Sequence, residues 1–233
     1  MKNIFKTMVE LQHKFNEETI ENYLDKNLNW NSAIIAESGE LLNSLGYKWW
    51  KKQVPDMENV KVEAIDLLHF VISESIQFLS RDRSIKYCIN SAATCFYEYF
   101  EELETYDTYN CTDLETMISH LNYDEYDRFF IMKKIFKALN MSNEDVYIAY
   151  IVKNCLNKFR QDNGYKIGTY IKDWNGKEDN VVAYSLANII GVKGNLFDEL
   201  YETLSSYYNK EVKKDVKDSF QDDFDYFKTQ KVN

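Results

Sequence analysis

Apolar residues recur every three to four positions along most of the chain, the spacing of helices that bury one face. Ile4, Met8, Leu11 and Phe15 mark a first helix over about 4–23, with Gln12 and Asn16, four residues apart, on an adjacent stripe. A second helix is expected from Trp30 or Ser32, carrying Ala33, Ala36, Leu41, Leu42 and Leu45 until Gly46 ends it. A third, over about 58–80, is apolar almost all round in its middle (Ile65, Leu67, Leu68, Phe70, Val71, Ile72), so it belongs inside a bundle. Further helices are expected near 85–104, 123–140, 143–160, 180–190 and 195–209, with a polar joint at 107–110. Between 164 and 176 stand three of the seven glycines, and a non-helical segment is expected there.

Composition narrows this pattern to one class. With 7 Gly and 1 Pro in 233 residues, the chain lacks the punctuation that short strands need, which leaves an all-α helical bundle. The 45% apolar and 15% aromatic content suits a packed domain rather than disorder. A net charge of −10, from 38 acids against 28 bases, gives no global basic footprint for duplex nucleic acid. Cys88, Cys95, Cys111 and Cys155 form no CxxC pair, and neither a leader nor a long apolar run is evident. Reduced, buried thiols in a cytoplasmic protein without a membrane span are the expectation.

Two acids interrupt the buried third helix, Glu63 and Asp66, and their i, i+3 spacing repeats that of Glu37 and Glu40 on the second. Each pair lies on one helix face with Cβ atoms about 5–6 Å apart. Four carboxylates converging between neighbouring helices repel unless cations balance them, and an all-oxygen set suits Mg²⁺ or Mn²⁺. Solvated helix faces are the plainer reading of any single pair. A di-iron carboxylate site is the helical alternative. Glu10 to His13 fits one ExxH motif, but Asp66 precedes His69, Met117 precedes His120, and the second motif is missing.

Charge of the other sign gathers near the C-terminal end. Between Lys153 and Asn180 six bases face four acids, a local balance of +2 in a chain whose remainder is −12. Cations, glycines and the amides of Asn157, Asn163, Asn175 and Asn180 are what a polyanion with sugar and base attached requires. Neither a Walker loop nor GxGxxG is present, so hydrolysis of a nucleoside triphosphate rests on the acids and bases taken together.

Leu11-Gln12-x-x-x-Asn16, Asn29-Trp30, Glu37-x-x-Glu40-Leu41, Tyr47-Lys48-x-Trp50-Lys51, Glu63-x-x-Asp66-x-x-His69-Phe70 and the long run from Lys153 to Asn180 resemble the dimeric all-α dUTPases. These belong with the all-α nucleoside triphosphate pyrophosphohydrolases that include MazG-like enzymes. The similarity runs in order over about 8–210, giving one catalytic domain over 1–210 and an additional tail over 211–233. The stretch from Trp30 to Glu37 is shorter than in the family members this chain resembles.

The resemblance implies Mg²⁺-dependent hydrolysis of dUTP to dUMP and pyrophosphate, and of dUDP to dUMP and phosphate, by a homodimer. It makes Glu37, Glu40, Glu63 and Asp66 the metal ligands, with Glu40 also orienting the attacking water. Gln12 and Asn16 read the uracil edge, and Trp50 lines the base pocket. Lys153, Asn157, Arg160, Tyr165 and Lys172 contact phosphate, Asn180 the nucleoside, and Lys48, Lys51 and Lys166 join them by position and charge. A dCTP or broader pyrimidine pyrophosphohydrolase is the nearest rival, and a catalytically silent interaction protein on the same fold the rival of another class.

Overall fold

The structure, a computed structural model, describes residues 2–80, 83–102, 113–123, 127–191 and 195–212. Among these residues the protein is all-α: nine α-helices, and no extended pairing beyond one isolated bridge, Asp173 to Glu178. No helix among them is long and apolar enough to cross a membrane. The chain divides into two compact units, Met1–Tyr150 and Ile151–Asn233.

In the first unit α1 (Lys2–Thr19), α2 (Trp30–Leu45), α3 (Met57–Leu79) and α4 (Ile85–Tyr97) form a bundle around α3, joined by α5 (Leu114–Tyr123) and α6 (Arg128–Ala138). Ala64, Ile65, Leu67, Leu68, Val71 and Ile72 of α3 are all buried, as an apolar circumference demands. Capping side chains set its boundaries: Asn29 accepts from the Ser32 amide at 3.0 Å to start α2, and Asp56 accepts from the Asn59 amide at 3.1 Å to start α3. Gly46, at φ 74°, ends α2 in the left-handed conformation that glycine adopts without a Cβ penalty.

Three sequence expectations need correction here. The first helix stops at Thr19, because Asn22 turns left-handed (φ 52°) and brings Tyr23 into the core, where its hydroxyl meets His13 Nδ1 at 2.8 Å. The fourth helix gives way at Tyr97 to a π-turn over Glu98–Glu102. A helix expected over 123–140 begins only at Arg128, and α5 precedes it. Asp113 caps α5 by accepting from the Thr116 amide at 2.8 Å, while Met117, Ile118 and Leu121 bury its inner face. The joint at 107–110 lies outside the described residues.

α7 (Asn143–Asp162) opens with a reciprocal cap. Ser142 N donates to Asp145 Oδ2 at 2.8 Å, and Asp145 N donates back to Ser142 Oγ at 3.2 Å. In the second unit the glycine-bearing segment is non-helical apart from a 3-10 turn over Tyr165–Ile167, and α8 (Asp179–Ile190) and α9 (Leu196–Tyr207) follow. Gly164 holds φ 90°, and a Cβ there would stand 2.0 Å from Thr169 Oγ1, so only glycine fits. The segment is anchored by Trp174, fully buried among Phe159, Tyr207 and Tyr208. α9 continues into a π-turn over Tyr208–Val212, and the tail from 213 onward lies outside the described residues.

Candidate functional site

In the first unit Glu37 projects from α2, and Glu63 and Asp66 from one face of α3. One carboxylate oxygen of each lies within 4.8 Å of the others. Glu63 is buried; Asn59 Nδ2 donates to its Oε1 at 3.0 Å and to Ser44 Oγ at 2.7 Å, holding the carboxylate from a neighbouring turn. Glu37 and Asp66 are half-buried. Glu40 is exposed and is not one of the three clustered acids. Three carboxylates this close repel one another in a partly dry setting, and a divalent cation taking oxygen ligands relieves that repulsion. The donor set, oxygen throughout, fits Mg²⁺ or Mn²⁺ and contains no histidine.

Gln12 and Asn16 are both 3% exposed, and they meet each other and two side chains the sequence did not single out. Gln12 Nε2 donates to Asn16 Oδ1 at 2.9 Å, and Asn16 Nδ2 donates to Ser73 Oγ at 3.0 Å. Tyr150 Oη donates to Gln12 Oε1 at 2.7 Å. His69 is buried beside them: its Nδ1 donates to Ile65 O at 2.8 Å, and its ring stacks on Tyr150 at 4.1 Å. His13, the other histidine of the di-iron alternative, is engaged with Tyr23. Burial lowers its pKa, a shift that Glu17 partly opposes.

Trp50 is 60% exposed and edge-on to Tyr47 and Trp49. Lys48 Nζ donates to Asn43 Oδ1 at 2.9 Å, and Lys51 is exposed. A cavity of about 950 Å³ opens in this unit, but none of Glu37, Glu40, Glu63 and Asp66 lines it. Its buried cation, Arg128, is committed to Glu74, to Asn31 Oδ1 at 2.6 Å and to Leu121 O at 3.0 Å, a hub that ties α2, α3, α5 and α6 together.

In the second unit Lys153, Asn157 and Arg160 share one face of α7 by their i, i+4, i+7 spacing. Arg160 is buried and paired through two bonds with Asp179, Nε to Oδ2 at 2.8 Å and Nη2 to Oδ1 at 2.7 Å. Asp179, 1% exposed at the start of α8, also accepts from Tyr170 Oη at 2.8 Å, and Arg160 Nη2 reaches Asn180 Oδ1 at 3.2 Å. Burial works against the guanidinium charge, yet Asp179 outweighs it and raises the Arg160 pKa. Tyr170 is pushed well above the ordinary phenol range by burial first and by the Asp179 carboxylate second. Tyr165, Lys166 and Lys172 are exposed, with Arg160 and Lys172 over the Tyr165 ring at 6.0 and 5.5 Å.

Cys88 and Cys155 are buried and Cys95 half-buried, all as free thiols. Burial raises all three, Cys95 to about 11, which keeps them protonated and poorly nucleophilic at neutral pH. Cys111 lies outside the described residues. Sequence reasoning missed Ser73, Tyr150, Asp179 and Tyr170. Asp179 entered as one charge in a local balance and, like Tyr170, as part of the run that carries the resemblance, without a role, and nothing local marks Tyr150, which reaches Gln12 across 138 positions of sequence.

The model of one known family, described as dUTPase, matches residues 4–165. No curated protein matches the chain. The matched span takes in the helices of the acid cluster, Gln12, Asn16 and all of α7, and covers well over half of the 233 residues. The chain thus belongs to the all-α dUTPase family, the enzymes that hydrolyse dUTP.

Proposed function

We propose that the protein hydrolyses dUTP to dUMP and pyrophosphate, and dUDP to dUMP and phosphate, with Mg²⁺ held by Glu37, Glu63 and Asp66. The observation that carries the metal assignment is the approach of three carboxylate oxygens, from two helices, to within 4.8 Å. Bound there, the ion supplies neutralisation of phosphate charge and acidification of a water. Glu63 is held in place for this by Asn59, so its oxygen needs little reordering. Glu40, one turn beyond Glu37 and exposed, has the role of orienting the attacking water by its place in the ExxE motif.

Gln12 and Asn16 read the base, since a side-chain amide offers the donor and the acceptor that uracil's edge demands. Lys153, Asn157, Arg160, Tyr165, Lys166 and Lys172 supply the phosphate contacts, Arg160 with a guanidinium already oriented by Asp179. Asn180 contacts the nucleoside, Trp50 lines the base pocket, and Lys48 and Lys51 add positive charge. Use of dUDP favours attack at the β-phosphorus; hydrolysis in oxygen-labelled water with the label in dUMP contradicts that. The working form is a homodimer in the cytoplasm.

The test is product analysis after incubation with Mg²⁺ and, separately, dUTP, dUDP, dCTP, dTTP and UTP. Formation of dUMP from both uracil deoxynucleotides supports the reading, while turnover of dCTP favours the broader pyrimidine alternative. Glu40→Gln should fold normally and lose more than about a hundredfold in turnover, the scale of a preorganised electrostatic group; a loss under about threefold removes Glu40 from the mechanism. No turnover of any of them by folded protein leaves the interaction reading.

A further inference from the structure

Gln12 and Asn16 do not stand alone. They are the middle of a run of hydrogen bonds that begins at a backbone carbonyl of α3 and ends at the last residue of the first unit. Ser73 Oγ donates to His69 O at 2.8 Å, one helical turn back. A hydroxyl has one proton, so Ser73 can only accept from Asn16, and the Asn16 atom 3.0 Å away must be Nδ2. Asn16 then turns Oδ1 toward Gln12, which must answer with Nε2 at 2.9 Å. Gln12 is left with Oε1 toward Tyr150, whose hydroxyl donates to it at 2.7 Å; a second acceptor near that hydroxyl, Met8 O, is farther at 3.2 Å. Each member dictates the orientation of the next. All four side chains in the run are buried, Ser73 and Tyr150 completely, so water does not substitute for a missing partner at low cost.

We infer that Ser73 and Tyr150 are positioning residues that fix the polarity of the Gln12–Asn16 amide pair and thereby select uracil over cytosine. This rests on the proposal that Gln12 and Asn16 read the base. In the observed polarity the run leaves a second N–H on Gln12 Nε2 and a second lone pair on Asn16 Oδ1. Uracil presents a carbonyl oxygen next to N3–H, an acceptor beside a donor, and matches that pair. Cytosine presents an amino donor beside the acceptor N3, and matches only if both amides turn over. Turning them over obliges Ser73 to give up His69 O and Tyr150 to donate to the more distant Met8 O. The cost of reversing the run is the selectivity; Ser73 and Tyr150 set it together with Tyr23, which also hydrogen-bonds the Asn16 side chain, and none of the three need touch the base.

The test compares kcat/KM for dUTP and dCTP, with Mg²⁺, in the wild type, Ser73→Ala, Ser73→Thr, Tyr150→Phe and Gln12→Leu, with folding checked by circular dichroism. Ser73→Ala and Tyr150→Phe should each lower the dUTP:dCTP ratio by about tenfold, the equivalent of about 1.4 kcal/mol. Ser73→Thr keeps a hydroxyl able to bond the carbonyl one turn back and should restore the ratio. A merely structural role would lower both substrates together and leave the ratio where it was. An unchanged ratio in folded Ser73→Ala, with Gln12→Leu losing selectivity, overturns the polarity inference and leaves base reading intact. An unchanged ratio in Gln12→Leu overturns both. Because Ser73→Ala removes one oxygen from a helix interior, it keeps the inference testable if Tyr150→Phe fails to fold.

Discussion

The two units handle charge in opposite ways. The first gathers like charges, drawing oxygens of Glu37, Glu63 and Asp66 within 4.8 Å of one another. The second pairs unlike ones, clamping Arg160 to the buried Asp179 through two hydrogen bonds under 3 Å. Like charges held together cost folding energy, a cost that a cation from solution offsets. A bidentate pair inside the protein is complete already, and what it contributes is the orientation of a guanidinium. One region concentrates charge that a cation would offset, and the other fixes the direction of a group.

The largest effect expected from this contrast is at Asp179. Asp179→Ala strands a buried guanidinium and should cost about 3–5 kcal/mol in denaturant unfolding; a loss under about 1 kcal/mol would show the pair to be dispensable. The acid cluster should respond with the opposite sign. Glu63→Gln relieves repulsion, so without metal it should leave stability unchanged or raised. Mg²⁺ at a hundred times its Kd should stabilise the wild type by about 2.7 kcal/mol, and this gain should vanish in Glu63→Gln. Equal stabilisation of both proteins by Mg²⁺ in a thermal melt would break the assignment of the ion to these acids.

The smallest effect separates ordinary capping from either behaviour. The side chain and backbone amide of Ser142 hold the Asp145 carboxyl below its usual pKa. A depressed carboxyl stabilises the fold fully above its unfolded value of about 4, and that contribution disappears as pH falls through the folded value. Asp145→Asn should cost about 0.5–1 kcal/mol at neutral pH and flatten that part of the acid limb.

Much of this was legible in the residues. The spacing of Ile4, Met8, Leu11 and Phe15, the apolar circumference around Ile65 and Leu68, and Gly46 after Leu45 all mark helices, because periodicity and capping are local. The i, i+3 acids could be read as pairs for the same reason. That Glu37 joins Glu63 and Asp66 while Glu40 stays exposed could not, since it depends on how α2 rolls against α3. α5 went unread because its short buried face, Met117, Ile118 and Leu121, spans one turn and sits among charged residues.

The sequence by itself determined the class of fold, the acids and bases available and the faces they occupy, because each follows from composition and helical period. Tertiary structure alone decided which acids converge, that Arg160 is aimed by Asp179, which Tyr170 also holds, and that Gln12 and Asn16 are oriented by Ser73 and Tyr150. Those relations join positions 19 to 138 residues apart, except for Glu63 and Asp66, one helical turn apart, and for Tyr170 and Asp179, which a tight loop brings together. A hydrogen bond reads distance in space, and no periodicity along the chain encodes it.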